Sequence, residues 1–182
     1  MLPLDQHVSQ DRPIEAKITT SSRNRLSLAT RPAAPQARTT TAAPTGALAA
    51  FAKTSGSKGI QLYAAIETSD PAAPSVYAKT LAQQLAREAP DKVTAVMAKN
   101  QRTGRVFIDW SQNNPKKTTI AAYSLRGRDR PTVSTPITWA EVETCTHAAQ
   151  LAFTADDVLD RVQQHGDLLG SLDDSRAPLS ER

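Results

Sequence analysis

The feature that most constrains this chain is a change of character near residue 47. Residues 21–46 read SSRNRLSLATRPAAPQARTTTAAPTG. They are rich in Ser, Thr, Ala, Pro and Arg and hold almost no large apolar side chains. Such a segment buries too little apolar surface to offset the entropy lost on ordering it. Ahead of it, Leu2, Leu4, Val8, Ile14 and Ile18 are scattered without a convincing repeat. Residues 1–46 are therefore expected to form an irregular, low-complexity segment, with the folded domain beginning at residue 47.

From there the pattern is that of a folded α+β unit. IQLYAAI, residues 60–66, is a short apolar run between polar punctuation and reads as a strand. SVYAKTLAQQLAREAP, residues 75–90, places Tyr77, Leu81 and Leu85 on one helical face and stops at Pro90. VTAVMA, 93–98, and RVFIDW, 105–110, read as strands, with Thr-Gly between them as a hairpin turn. TTIAAYSL, 118–125, is a further β-branched run. TADDVLDRVQQHG, 154–166, opens with a capping box, Thr154 with Asp157, and stops at Gly166. The order β-α-β-β-β and a final helix predicts a mostly antiparallel or mixed sheet packed with helices over residues 47–172, followed by a tail at 173–182.

A length of 182 residues suits one domain with an appendage. The lone Cys145 allows no internal disulfide and no zinc set, which points to a reducing, cytoplasmic setting. No apolar run approaches a membrane-spanning length, and the start MLPLDQHVSQDRP does not read as a secretory signal. The formal charge is only +4, so its distribution matters more than its sum.

Three stretches carry chemistry. KTSGSKGIQLY, 53–63, is a small Gly-containing loop entering a strand, with Lys58 inside it. Loop amides and a lysine suit phosphate oxygens, although a polar turn before a strand looks much the same. No Gly-Lys-Ser/Thr opens a helix there, so it is not a P-loop. Asp109 lies beside the apolar run Val106-Phe107-Ile108, with Trp110 behind it. It is either a metal-directed carboxylate or an edge-strand aspartate facing water. Lys99, Arg102, Arg105, Lys116, Lys117, Arg126, Arg128 and Arg130 form a basic belt interleaved with Trp110 and Tyr123. The belt suits a polyanion or is an ordinary solvated face, and the aromatics are base-stacking residues or core. Cys145 and His147 are near neighbours, which alone does not make a catalytic pair. His165 reads as a cation or neutral cap at a helix end.

KTSGSKGIQLY, VFIDWSQN, KKTTIAAYSLRGRDRPTVSTPITWAEVE and the closing HGDLL occur in that order. Together they resemble the polymerase domain of bacterial DNA ligase D, a member of the archaeo-eukaryotic primase superfamily. The resemblance covers about residues 47–172, the carboxy-terminal part of such a domain. It implies template-directed nucleotide addition in end-joining repair of DNA breaks. Ser55 matches the serine that holds the incoming triphosphate, and Lys58 lies in the same loop. Asp109 matches the last of three aspartates that bind two catalytic metals, Mg2+ or Mn2+. Gln112 and Arg126 match positions near the nucleotide phosphates, and Lys116, Lys117 and Arg128 belong to the expected nucleic-acid surface. The implied partners are DNA ends, nucleoside triphosphates and a separate ligase or end-binding protein.

Two departures stand out. The family loop reads Ser-Gly-Ser-Lys-Gly-x-His, with the histidine on the triphosphate, and Gln61 occupies that position here. Glutamine donates a hydrogen bond but never carries charge. The family's other two metal aspartates form an Asp-x-Asp motif on a strand upstream of the loop. Here Asp5, Asp11 and Glu15 precede the loop in no such arrangement. The expectation is a ligase D-type polymerase domain, truncated and weak or inactive alone. The alternatives are a non-catalytic nucleic-acid-binding module or a non-functional remnant.

Overall fold

The computed structural model describes residues 14–21, 48–114 and 116–179, the first of these through backbone pairing only. Among the described residues, nine strands and three α-helices follow in order: β1 (Ile14–Ser21), β2 (Phe51–Thr54), β3 (Gly59–Glu67), α1 (Ala73–Glu88), β4 (Val93–Thr94), β5 (Val106–Asp109), β6 (Leu125–Arg126), β7 (Thr132–Val133), β8 (Pro136–Ile137), α2 (Trp139–Thr144), α3 (Ala155–His165) and β9 (Ala177–Pro178). Seven strands make one sheet in the order β4-β5-β1-β3-β2-β8, with β9 alongside β3, while β6 and β7 form a separate pair. Pairing is antiparallel except for β4 with β5 and β9 with β3. The α+β expectation holds.

The expectation of an irregular segment over residues 1–46 is corrected at Ile14–Ser21, which forms a strand in the middle of the sheet, between β3 and β5. The reason is visible in IEAKITTS once period two is tried: Ile14, Ala16, Ile18 and Thr20 alternate with Glu15, Lys17, Thr19 and Ser21. The other residues before 48 lie outside those described. Leu172, at the end of the expected domain, is buried against Tyr63 and Ala65. The expected tail is corrected where Ala177–Pro178 pairs with Ile66 and Glu67 at the end of β3.

The Thr-Gly hairpin between β4 and β5 does not form. Val93 and Thr94 pair in parallel with Val106 and Phe107, and a short 3-10 turn at Lys99–Gln101 begins the crossover. Only Val93–Thr94 of the 93–98 run is strand; Val96 and Met97 are exposed. Helix α1 stops at Glu88, two residues before Pro90, but its deepest line is Pro74, Ala78 and Ala82, with Tyr77, Leu81 and Leu85 half-buried beside it. Small side chains at spacing four let the helix backbone approach its neighbours closely. α3 carries the expected Thr154–Asp157 capping box and ends at Gly166, whose φ of 68° suits a residue without a Cβ.

Two apolar clusters flank the sheet. Ala52, Ile60 and Ile137 pack beneath Leu62, Val142, Leu151 and Phe153 on one sheet face. Tyr63, Ala65 and Leu172 pack with Phe51 on the other. α2 is locked to α3 by Arg161, whose guanidinium bonds both Glu141 oxygens, at 2.5 and 2.9 Å, and lies 4.5 Å from the centre of the Phe153 ring.

Candidate functional site

The loop between β2 and β3 is built on a buried hydroxyl cluster. Thr54 is 4% exposed; its N–H donates to Thr135 O at 2.8 Å, and its Oγ1 accepts from Thr135 N at 3.0 Å. Ser134 Oγ donates to Thr54 O at 2.8 Å. These bonds fix the loop to the β7–β8 segment. The loop then closes on itself: Ser55 N donates to Gly59 O at 2.8 Å, and Ser55 Oγ accepts from Gly59 N at 3.1 Å. Gly56, at φ 62°, passes so close to its neighbours that a Cβ would lie 2.8 Å from Arg126 Cγ and 2.9 Å from Ser134 N.

That close approach brings cations to the loop. Arg126, on β6, packs against Gly56, and Arg128 Nη2 donates to Ser57 Oγ at 2.7 Å. Thr132 Oγ1 donates to Gly56 O at 2.8 Å, so the β6–β7 pair is itself bonded to the loop. Ser57 and Lys58 at the tip are exposed. Ser55, Lys58, Arg126 and Arg128 are therefore brought together.

Asp109 is reached across the sheet. Cα pairing runs Lys53–Gln61, Gln61–Thr19 and Thr19–Asp109, so these positions form one row, and directly paired antiparallel residues share a face. Two strand spacings separate Gln61 from Asp109, roughly 10 Å. The Ser55–Gly59 turn begins two residues beyond Lys53 in that row.

Asp109 is half-buried and acts locally as a helix cap. Its Oδ1 accepts from Ser111 N at 3.2 Å and from Ser111 Oγ at 2.6 Å, and its Oδ2 accepts from Gln112 Nε2 at 2.9 Å. Lys117 Nζ donates to Ser111 Oγ. Gln112 and Lys117 are thus drawn to Asp109. Lys116 is exposed on the chain just before Lys117.

Gln61 is buried at 6%, and its Oε1 accepts from the Tyr63 hydroxyl at 3.3 Å. The expected 118–125 strand is corrected to a largely irregular strap, with only Leu125 in β6. The 1%-exposed Lys53 Nζ donates to Ile120 O at 2.9 Å and to Ser134 Oγ at 2.5 Å, taking a carbonyl that a neighbouring strand would need. Tyr123, at φ 62°, bends the strap out of extended geometry. Its hydroxyl donates to Asp167 Oδ1 at 2.6 Å. Partial burial and then Asp167 hold that phenol well above its ordinary pKa.

Within the basic belt Arg102 is turned inward: it lies 3.6 Å from the Phe107 ring centre and donates to Met97 O. Trp110 is bonded to Ala95 O, and Tyr123 to Asp167, so both interleaved aromatics hold structure together. Cys145 Sγ contacts the His147 carbonyl rather than its ring. Sequence reasoning missed Lys53, Thr54, Ser134 and Thr135; the Ser/Thr density of TVSTP was the sole local sign.

The metal implied by the resemblance does not fit these residues. Hard divalent cations need several oxygen ligands. Both Asp109 oxygens already accept hydrogen bonds, and its β1 partner is Thr19. Glu15, the acid of β1, is four residues further along, about 13 Å at strand rise. Among the described residues no three His, Cys, Asp or Glu converge.

A family model described as LigD, primase-polymerase domain, matches residues 29–169. The chain belongs to the LigD primase-polymerase family. Among LigD relatives, the multifunctional non-homologous end joining protein of Mycolicibacterium smegmatis is 49% identical over 136 residues, 74% of this chain and 17% of that protein. The bifunctional LigD of Bacillus subtilis is 31% identical over 121 residues, 65% of this chain and 20% of that protein. The chain thus spans about a sixth to a fifth of the length of these LigD proteins. The solved polymerase domain of Mycobacterium tuberculosis ligase D, in complex with DNA, superposes with a TM-score of 0.72 at 34% identity, covering 90% of this chain and 56% of that one.

Proposed function

We propose that this chain is the nucleotide- and DNA-end-holding part of a LigD-type polymerase domain working in non-homologous end joining, with weak or no nucleotidyl transfer on its own. The observation that carries this reading is the packing of Arg126 and Arg128 against the Ser55–Gly59 loop, within a chain of LigD sequence. Loop amides, a serine hydroxyl and fixed guanidinium groups are the groups that orient a triphosphate. Exposed Lys116 and Lys117 supply sequence-independent attraction to a DNA backbone. A separate ligase or end-binding protein would deliver the break, in the cytoplasm. Among the described residues no helix is long and apolar enough to cross a membrane.

The role of each residue follows from its chemistry. Lys58, Arg126 and Arg128 bind and orient phosphate oxygens. Ser55 shapes the loop through Gly59 N. Two-metal transfer with Mg2+ or Mn2+ would activate a primer hydroxyl in this family, but Asp109 alone is too few ligands, so no transfer step is assigned to this chain. The test is primer extension with Mn2+ by pure protein, with Asp109→Ala as control. The expected result is extension near background. Robust extension that vanishes in Asp109→Ala would overturn the reading and require acids from elsewhere.

A second reading, a non-catalytic nucleic-acid-binding module, is favoured by the engagement of both Asp109 oxygens with Ser111 and Gln112. It keeps the DNA surface and drops the nucleotide. Salt-sensitive DNA binding without any nucleotide binding separates it from the first.

A further inference from the structure

In two-metal phosphoryl chemistry the cations neutralise the triphosphate as well as activate the nucleophile. Where the described acids gather no metal, the same phosphates must be neutralised another way or be left unbound. We infer that the Ser55–Gly59 loop of this chain binds a nucleoside triphosphate without a divalent metal, using its own fixed cations. The inference rests on the nucleotide-holding reading above.

Three observations support it. First, two cations stand at the loop. Arg128 Nη2 is anchored on Ser57 Oγ at 2.7 Å, and the Arg126 side chain passes so close to Gly56 that a Cβ there would meet its Cγ at 2.8 Å. A held guanidinium, as at Arg128, loses less entropy on binding an anion than a free one. Second, the loop they serve is rigid at its base, through the buried Thr54, Ser134 and Thr135 bonds. Third, the Asp109 carboxylate is held by donors and has a cation close to them, which offsets part of its repulsion of a triphosphate. Asp109 accepts three hydrogen bonds, and the Lys117 ammonium sits on Ser111 Oγ beside it. The β1 position paired with Asp109 is Thr19.

The shape of the site therefore selects the phosphates rather than the base. Inorganic tripolyphosphate, which has the charge and lacks the nucleoside, is expected to compete.

The experiment is calorimetric titration of the whole chain with dATP, once in EDTA and once in Mn2+. The expected result is binding in EDTA, changed by no more than about threefold when Mn2+ is supplied. Tripolyphosphate in EDTA is expected to displace dATP, and Arg128→Gln to weaken binding roughly tenfold, the loss of one charge-assisted bond. Arg128 is exposed, so this variant folds, and its melting curve checks that it does. Binding that appears only with Mn2+ overturns the inference and leaves the nucleotide reading standing. Absence of binding in both conditions overturns both.

Discussion

The Lys53 ammonium and the Ile120 carbonyl meet at 2.9 Å across 67 positions of sequence. That bond, with the one to Ser134 Oγ at 2.5 Å, lays the 118–124 strap against a row of the sheet that includes Gln61. The strap leads directly into Arg126. The buried lysine thus connects the sheet to the arginine that packs on the loop.

Replacing Lys53 by Ala is expected to destabilise the chain by about 2–4 kcal/mol, because the buried Ser134 hydroxyl and the half-buried Ile120 carbonyl lose a charged donor and a cavity is left. Urea unfolding measures the loss. Amide exchange should show faster opening of residues 118–124 than of β3. Unchanged exchange in the strap would show that Lys53 does not hold it.

Gly56→Ala is expected to cost about 2–4 kcal/mol, combining a left-handed backbone that an L side chain resists with a Cβ 2.9 Å from the Ser134 backbone nitrogen. Arg126 can yield because it is a flexible side chain; Ser134 N cannot. Thermal unfolding checks the stability, and dATP titration checks the accompanying loss of phosphate binding.

Tyr123→Phe removes the 2.6 Å bond to Asp167 and is expected to cost about 0.5–1.5 kcal/mol. The pH dependence has a definite sign. Partial burial first, and Asp167 next, raise the folded phenol's pKa, so the stabilisation is complete below the ordinary value of 10. As pH rises above that value the unfolded chain loses its proton first, and stability falls. Unfolding curves between neutral pH and pH about 11 should show this decline in the native chain and less of it in the variant.

Glu141→Gln tests the α2–α3 lock. Partial burial alone would raise the Glu141 pKa, but bonds from Arg161 and Thr138 outweigh it, and the carboxyl sits below its ordinary value of 4.5. Its contribution is present above that pH and is lost as pH falls through the folded value. The variant is expected to lose about 1–2 kcal/mol at neutral pH, and less of its stability on acidification than the native chain. Denaturant curves at pH about 7 and about 4 give both comparisons.

Local signals in the sequence are strong. The Thr154–Asp157 capping box and Gly166 marked both ends of α3, and VFID carried β5, because caps and apolar runs depend on neighbouring residues only. The 118–125 run shows the limit. Its β-branched residues favour a strand, but Lys53, far upstream, claims Ile120 O, and no local rule announces that. Ser55, Lys58 and Arg126 could be named from a motif, whereas the hydroxyl cluster beneath them comes from TVSTP folding back onto Thr54. β1 was legible by its alternation and was obscured by the Pro- and Thr-rich stretch that follows it.

β1 has a consequence for the whole molecule. It lies outside the residues 29–169 matched by the family model, yet it occupies the middle of the sheet. Among the described residues, backbone pairing links β4 and β5 to β3 by way of these eight residues. The loop that would take phosphates stands on one side of that seam and Asp109 on the other. A chain lacking Ile14–Ser21 would keep both motifs intact in sequence and lose the ruler between them. Each half would then present a raw edge, open to a strand from any other molecule with the same alternation.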